Sequence, residues 1–207
     1  MNICSNLTFW KGYEKKIYNI ITLIMDTKEY LEKYEDSLAE HLVRMLTIDQ
    51  RLDGRLLTTD DFYQKWNDMA PSYCADSIKE IANYPLVSLG WAMYLGLAVA
   101  KYWDDGWDIY SKIPNLYEYI RDKRGYDCMD DYIKEEILCL DTEESARMEQ
   151  LVQTISQQVL ARIRHEQIEP QSPMAYHVYL SSVKVLFHIG ASIELKQLGY
   201  NLEKMDV

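Results

Sequence analysis

The chain has little of what interrupts a backbone: eight glycines and five prolines in 207 residues. With so few breakers, and with apolar residues recurring every third or fourth position rather than every second, there is little room for strands. Cysteine is scarce as well. Cys4, Cys74, Cys128 and Cys139 form no C-x-x-C pair and no histidine stands at zinc-finger spacing, so neither a disulfide framework nor a structural zinc site is indicated. A reducing cytoplasm is the expected location. Basic side chains are outnumbered, 22 against 33 acidic ones, for a formal charge of -11. That field repels phosphate backbones and anionic membrane surfaces, which excludes nucleic acid and membrane as expected partners while admitting metal cations and basic proteins. No G-x-S-x-G, phosphate loop, G-x-G-x-x-G or H-E-x-x-H occurs, so hydrolase and nucleotide-fold motifs are missing too.

What is present is the composition of an ordinary globular protein, 48% hydrophobic and 27% charged, long enough to bury a core without staples. Lysines 11, 15 and 16 precede a short apolar run from Ile17 to Ile24, but Met25-Asp-Thr offers no small-residue cleavage site. Residues 1–24 are therefore expected to form a helical extension, and residues 25–207 a single all-α domain.

From Thr27, a plausible N-cap, the series Tyr30, Tyr34, Leu38, Leu42, Met45 and Ile48 predicts an amphipathic helix stopping near Asp53-Gly54. Thr59 caps a short helix through Phe62, Tyr63, Trp66 and Met69, with Pro71 as its stop and Ser72 opening another. The next segment, Leu86 to Ala100, has no polar face, which predicts a helix surrounded by others. It falls short of the roughly eighteen apolar residues of a membrane span. Ala92, Gly96 and Ala100 repeat every fourth residue and give it a smooth ridge that a neighbouring helix can approach closely. Beyond an expected turn at Trp103-Asp-Asp-Gly-Trp-Asp108, Pro114 opens a helix that Gly125 stops, and Asp127 begins another. Two long helices follow, Asp141 to about Gln167 and Pro173 to about Leu198, and the Pro170-Gln-Ser-Pro173 link between them implies an antiparallel hairpin. The expectation is an all-α bundle of seven to nine helices around the central apolar helix Pro85–Trp103.

The candidate chemistry is acidic. Asp104, Asp105 and Asp108 place three carboxylates within five residues, a set able to hold Mg²⁺ against a diphosphate. Their D-D-x-x-D spacing resembles the aspartate-rich motif of the all-α isoprenoid and terpene synthases. Asp141, Ser145 and Glu149, stacked at i, i+4 and i+8, resemble that family's second motif, N/D-x-x-x-S/T-x-x-x-E. The resemblance implies a magnesium-dependent enzyme acting on a phosphate or diphosphate compound. It is confined to these residues, in a chain much shorter than family members, and identifies no family. A looser likeness links Glu29, Glu32, Glu35, Asp49 and Asp53 to the magnesium-binding acids of all-α nucleotide pyrophosphatases. The interleaved Lys28 and Lys33 read instead as a salt-bridged surface.

His41 and His188 stand beside apolar stripes and read as satisfied boundary residues, while His177 and His188, eleven apart, cannot share one ion. The seventeen tyrosines and five tryptophans are the most unusual feature. Trp91, Tyr94, Tyr102, Trp103, Trp107 and Tyr110 gather on and after the apolar helix, where they either fill gaps between helices or wall a pocket or partner patch rimmed by the aspartates. Lacking a convincing nucleophile, base or phosphate cradle, the chain reads first as a non-enzymatic interaction protein, with a protein partner or homo-oligomer and no cofactor. The Mg²⁺ enzyme acting through Asp104, Asp105 and Asp108 is the alternative.

Overall fold

Residues 27–200 are described by the computed structural model; they are helical, with no strand among them. The extension expected over residues 1–24 lies outside the described residues. Helix α1 covers residues 27–48 and buries Tyr34, Leu38, Leu42 and Leu46 at a constant step of four. The expected stripe through Met45 and Ile48 leaves that face: Ile48 is 76% exposed. The chain then turns through Gln50 and Gly54, both at positive φ.

Helix α2, Asp60–Asn83, runs straight through Pro71, where a stop was expected. Phe62, Trp66, Met69 and Tyr73 lie on both sides of the proline and are all buried. Burying four such side chains stabilises by about 1.5–3 kcal/mol each, more than the roughly 3 kcal/mol an interior proline costs. Packing therefore overrides the local signal. Helix α3, Pro85–Tyr110, is buried at every position from Ser88 to Ala100. Beyond Trp103 it is kinked at Gly106, whose backbone is non-helical, and a short second helical stretch runs on to Tyr110, so the turn expected at Trp103-Asp-Asp-Gly-Trp-Asp108 is present as a kink between two helical stretches. Lys101 paired with Asp105 one turn on, at 2.7 Å, and Tyr102 stacked on Tyr110, with centroids 3.9 Å apart, hold that extension together.

Helix α4, Leu116–Arg124, is capped by Asn115, whose side chain accepts the Glu118 N–H, rather than opened by Pro114; Gly125 ends it. A 3-10 turn at Tyr126–Cys128, the single-turn helix α5 at Met129–Tyr132 and a π-helical turn at Ile133–Ile137 follow. Helix α6, Thr142–His165, opens on the capping box of Asp141 and Glu144 that its sequence implies. Helix α7 is Pro173–Gln197, capped by Ser172.

The centre of the protein is a pair of helices rather than one. Gly96 of α3 meets Phe187 and Ala191 of α7, and further on Trp103 packs against Tyr200, so the two ascend in parallel. Along α7 every residue from Val178 to Leu195 is buried except Leu180 and Lys184, which are half-buried. Three of its polar side chains are matched by α1 and the following loop: the Tyr34 and Ser182 hydroxyls bond at 2.8 Å, the Leu57 N–H donates to Ser192 Oγ at 2.8 Å, and Lys184 pairs with Glu35 at 2.7 Å. By length and composition α7 is the one described helix able to cross a membrane, and 89% of its apolar window is buried inside the protein. Helix α6 runs opposite to α3, with Gly90 against Val152 and Ser156. Helices α6 and α7 are thus antiparallel, as the short link implies, yet each packs mainly on α3 and little on the other.

Candidate functional site

The aspartates of the D-D-x-x-D stretch are all exposed. Asp105 is ion-paired with Lys101, and Asp104 accepts the Tyr200 hydroxyl at 2.7 Å. Glu194, on the last turns of α7, is buried beside them. Burial is the largest influence on its carboxyl, which Lys101 opposes and Asp104 and Asp105 reinforce, and together they push it up to about 7. The second expected series does not join this group: Asp141 caps α6 and Glu149 bonds to Lys134. Among the described residues no three His, Cys, Asp or Glu side chains are placed to hold a metal ion. The acids of α1 and the turn after it are a salt-bridged surface, with Glu29 on Lys33, Glu32 on Lys28, Glu35 on Lys184 and Asp53 on Lys196.

The six aromatic residues do not share one wall. Tyr102 and Tyr110 stack on each other near Tyr119. Trp103 packs edge-on to Phe62 and donates its indole N–H to Asp61 at 3.1 Å, and Trp107 lies 6.0 Å from the Lys65 ammonium. These four fill the joints between α3 and its neighbours. Trp91 and Tyr94 line a cleft together.

His188 is not at a boundary. It is buried between Tyr63 and Phe187, and neither ring nitrogen has a partner among the described residues. Burial, aided by Lys184, lowers it to about 3. A histidine depressed in the fold takes up its proton only on unfolding, so stability is lost as pH falls from the ordinary value near 6.5 toward 3. Replacing it with leucine, close in volume, removes that penalty. His188→Leu is expected to gain roughly 2 kcal/mol on the parent between pH 7.5 and pH 5, read by urea unfolding at the two pH values. An unchanged difference would overturn the assignment.

The cleft lies where α6 crosses the N-terminal half of α3. Gly90 makes the close crossing: a Cβ there would stand 2.9 Å from Val152 Cγ1 and 3.4 Å from Ser156 Oγ. Beside this point opens a space of about 590 Å³, floored by Trp91, Tyr94, Val152 and Ser156, with Leu86 and Val87 at its mouth and Asp127, Asp130 and Glu149 on its rim. Two of the residues lining it stand out, because Tyr94 Oη and Ser156 Oγ are buried without a hydrogen-bond partner among the described residues. Buried hydroxyls left in that state cost about 1–3 kcal/mol each, so they are informative exceptions.

Next to Tyr94 sits Lys134, on the π-helical turn. Its side chain is buried and bonded to Glu149, to Asp131 at 3.0 Å and to Asp130 at 3.3 Å, with the ammonium 5.8 Å from the Tyr94 ring. Burial alone would lower it; the hydrogen bonds to Glu149 and Asp131 more than reverse that, so the ammonium titrates above its ordinary value. Burial likewise raises the Tyr94 hydroxyl against the opposing pull of Lys134, keeping it a donor at neutral pH. A locked ammonium, a protonated phenol and a serine hydroxyl without a partner are binding groups; no base is bonded to the serine to activate it.

No protein-family model, curated protein or solved structure matches the chain. Function therefore rests on the site. Two wider grooves, of about 780 and 720 Å³, flank α7. In the first, Ser181 and Lys184 are already bonded to Glu35. The second is mainly apolar, around Ile78, Pro170, Tyr176 and Tyr179. The α3–α6 cleft differs in combining an apolar floor, unpartnered hydroxyls and a charged rim. Lys134, Asp130 and Ser156 escaped notice in the sequence: nothing there signals the π-helical turn that buries Lys134, and Ser156 reads as a polar residue beside the apolar stripe of α6.

Proposed function

We propose that the protein is a non-enzymatic helical interaction module that docks a segment of another protein over the mouth of the α3–α6 cleft. The observation that carries this reading is an apolar surface left open beside a ready-made recess: Tyr84 and Val87, one turn apart at the start of α3, are 63% and 40% exposed, and Val87 borders the cleft. Apolar residues rimmed by charge are the usual composition of a docking surface. Covering them contributes about 25 cal/mol for each Å² removed from water. The aromatic floor supplies a rigid wall against which a partner side chain packs.

A photo-crosslinking residue placed at position 87 tests the proposal against the same residue at Ile48, which is 76% exposed at the end of α1. The expected outcome is a discrete protein adduct at position 87 that is absent at position 48 and is lost when Trp91 is changed to alanine. Equal labelling at both positions would reduce Val87 to ordinary surface, and an adduct with a second copy of this chain would replace a foreign partner with self-association.

A further inference from the structure

The larger groove beside α7, separate from the α3–α6 cleft, fits a segment of this chain itself. We infer that residues 17–24, which lie outside the described residues, fold back across the groove between α1 and α7 and lay Ile17, Ile20, Ile21 and Ile24 into it.

The groove is the first support. A space of about 780 Å³ opens between the first turns of α1 and α7. These two helices run side by side in the same direction, since Tyr34 meets Ser182 and, further on, Leu57 meets Ser192. The charged groups of the groove are answered within the protein: Lys28 pairs with Glu32, and Glu35 takes both Lys184 and the Ser181 hydroxyl. What the groove leaves to water is hydrocarbon, on the half-buried Leu31 and Met174 and the exposed Pro173. Apolar side chains cover such a surface best, at about 25 cal/mol for each Å² removed from water.

The second support is the sequence that leads into it. Thr27, the first residue of α1, lines the groove, so the preceding chain arrives at its end. Ile17, Ile20, Ile21 and Ile24 stand at i, i+3, i+4 and i+7, the spacing that gathers four side chains on one helical face. As a helix, Ile17 to Ile24 would span about 11 Å, against about 12 Å along α1 from Thr27 to Glu35. Met25 and Asp26 separate this stripe from α1, a connection within the roughly 2–5 residues that join antiparallel helix pairs. Continuing α1 straight would instead carry Ile17 about 15 Å past Thr27 and leave the isoleucines without the groove.

Tethering favours this occupant over a separate chain, because so short a connection holds the stripe at an effective concentration of about millimolar. Its sign fits as well: residues 1–24 hold three lysines and one glutamate in a chain of net charge -11.

Disulfide trapping in the full chain, with Cys4, Cys128 and Cys139 changed to serine, tests this. Ile20→Cys is combined either with His177→Cys, in the groove, or with Lys33→Cys, two residues from both Leu31 and Glu35 and so on the opposite face of α1. Lys33 stands about 9 Å along the helix from Thr27, within reach of the same tether, and both partner positions are exposed, so neither change disturbs the core. The groove pair is expected to close within one chain at least about tenfold faster than the Lys33 pair, read by non-reducing electrophoresis and intact mass. Ile21→Asp/Ile24→Asp is expected to bring the two rates together. Equal rates without those substitutions would overturn the docked segment, and unequal rates that survive them would overturn the isoleucine stripe as what holds it. Disulfide dimers that form from the groove pair in proportion to protein concentration would assign the groove to a second copy and overturn the contact within one chain.

Discussion

Gly96→Ala is expected to cost about 3 kcal/mol or more, and Gly96→Leu to abolish the native state. An added Cβ at Gly96 would lie 1.9 Å from the Phe187 carbonyl oxygen and 2.8 Å from the Ala191 nitrogen. The opposing glycine is in the same position, for a Cβ at Gly190 would lie 2.0 Å from the Met93 carbonyl oxygen. Backbone therefore meets backbone at this crossing, and no side chain can swing aside to make room. Relief requires the two most buried helices to separate, with loss of contact along both. For a domain of this size, 3 kcal/mol corresponds to a fall in Tm of roughly 6–12 °C. Gly106→Ala is the internal control on the same helix, since its Cβ would find nothing nearer than Asp108 Oδ1 at 3.9 Å; it should stay within about 0.5 kcal/mol of the parent. Gly190→Ala should match Gly96→Ala, and the double variant should cost less than the sum, because one separation serves both. A Gly96→Ala protein melting with the parent would refute the parallel α3–α7 contact.

The second large effect concerns Glu194 and depends on pH. This carboxyl is buried on α7 and raised from its ordinary range near 4.5 to about 7, first by burial and then by Asp104 and Asp105, with Lys101 opposing. Between those two values the folded protein holds a proton that the unfolded chain has released. Its contribution to stability is therefore greatest in acid, declines as pH rises from 4.5 through 7, and levels off above. Glu194→Gln keeps the shape of the side chain and removes the ionisation. Its advantage over the parent should grow by on the order of 2 kcal/mol between pH 5 and pH 8, as measured by denaturant unfolding at each pH. His188, six residues earlier on the same helix, has the opposite sign, losing stability as pH falls. The two windows overlap from pH 4.5 to 6.5, where the opposite slopes nearly cancel, so the parent should be most stable across that range, with Glu194→Gln flattening the alkaline side and His188→Leu the acid side. Parallel curves for parent and Glu194→Gln would mean that this carboxyl is solvated.

Much of the fold is legible in the residues because the signals are local. The apolar run around Ala92 has no polar face and is buried throughout; Asp141 with Glu144 forms the capping box its spacing implies; Gly125 ends α4. The misreading at Pro71 rests on a local breaker that distant side chains overrule, for Phe62 to Tyr73 bury one continuous face across the proline; the break expected after Trp103 is present as a kink at Gly106, with Trp103 itself anchored by Asp61 and Tyr200. The site was less legible. Trp91 and Tyr94 carried a signal as aromatic residues on the core helix, but their separation from Tyr102, Trp103, Trp107 and Tyr110 depends on which neighbour covers each face of α3.

By itself the sequence determined helical class, the positions of most caps and stops, and the burial of α3, because these depend on periodicity and on contacts within a few residues. Tertiary structure alone decided that α7 runs parallel to α3 as its equal at the centre, that Lys134 is buried among carboxylates, and that Ser156 and Tyr94 face one cleft. Those outcomes depend on the crossing of helices far apart in the chain, and no periodicity within a helix encodes which neighbour it will meet.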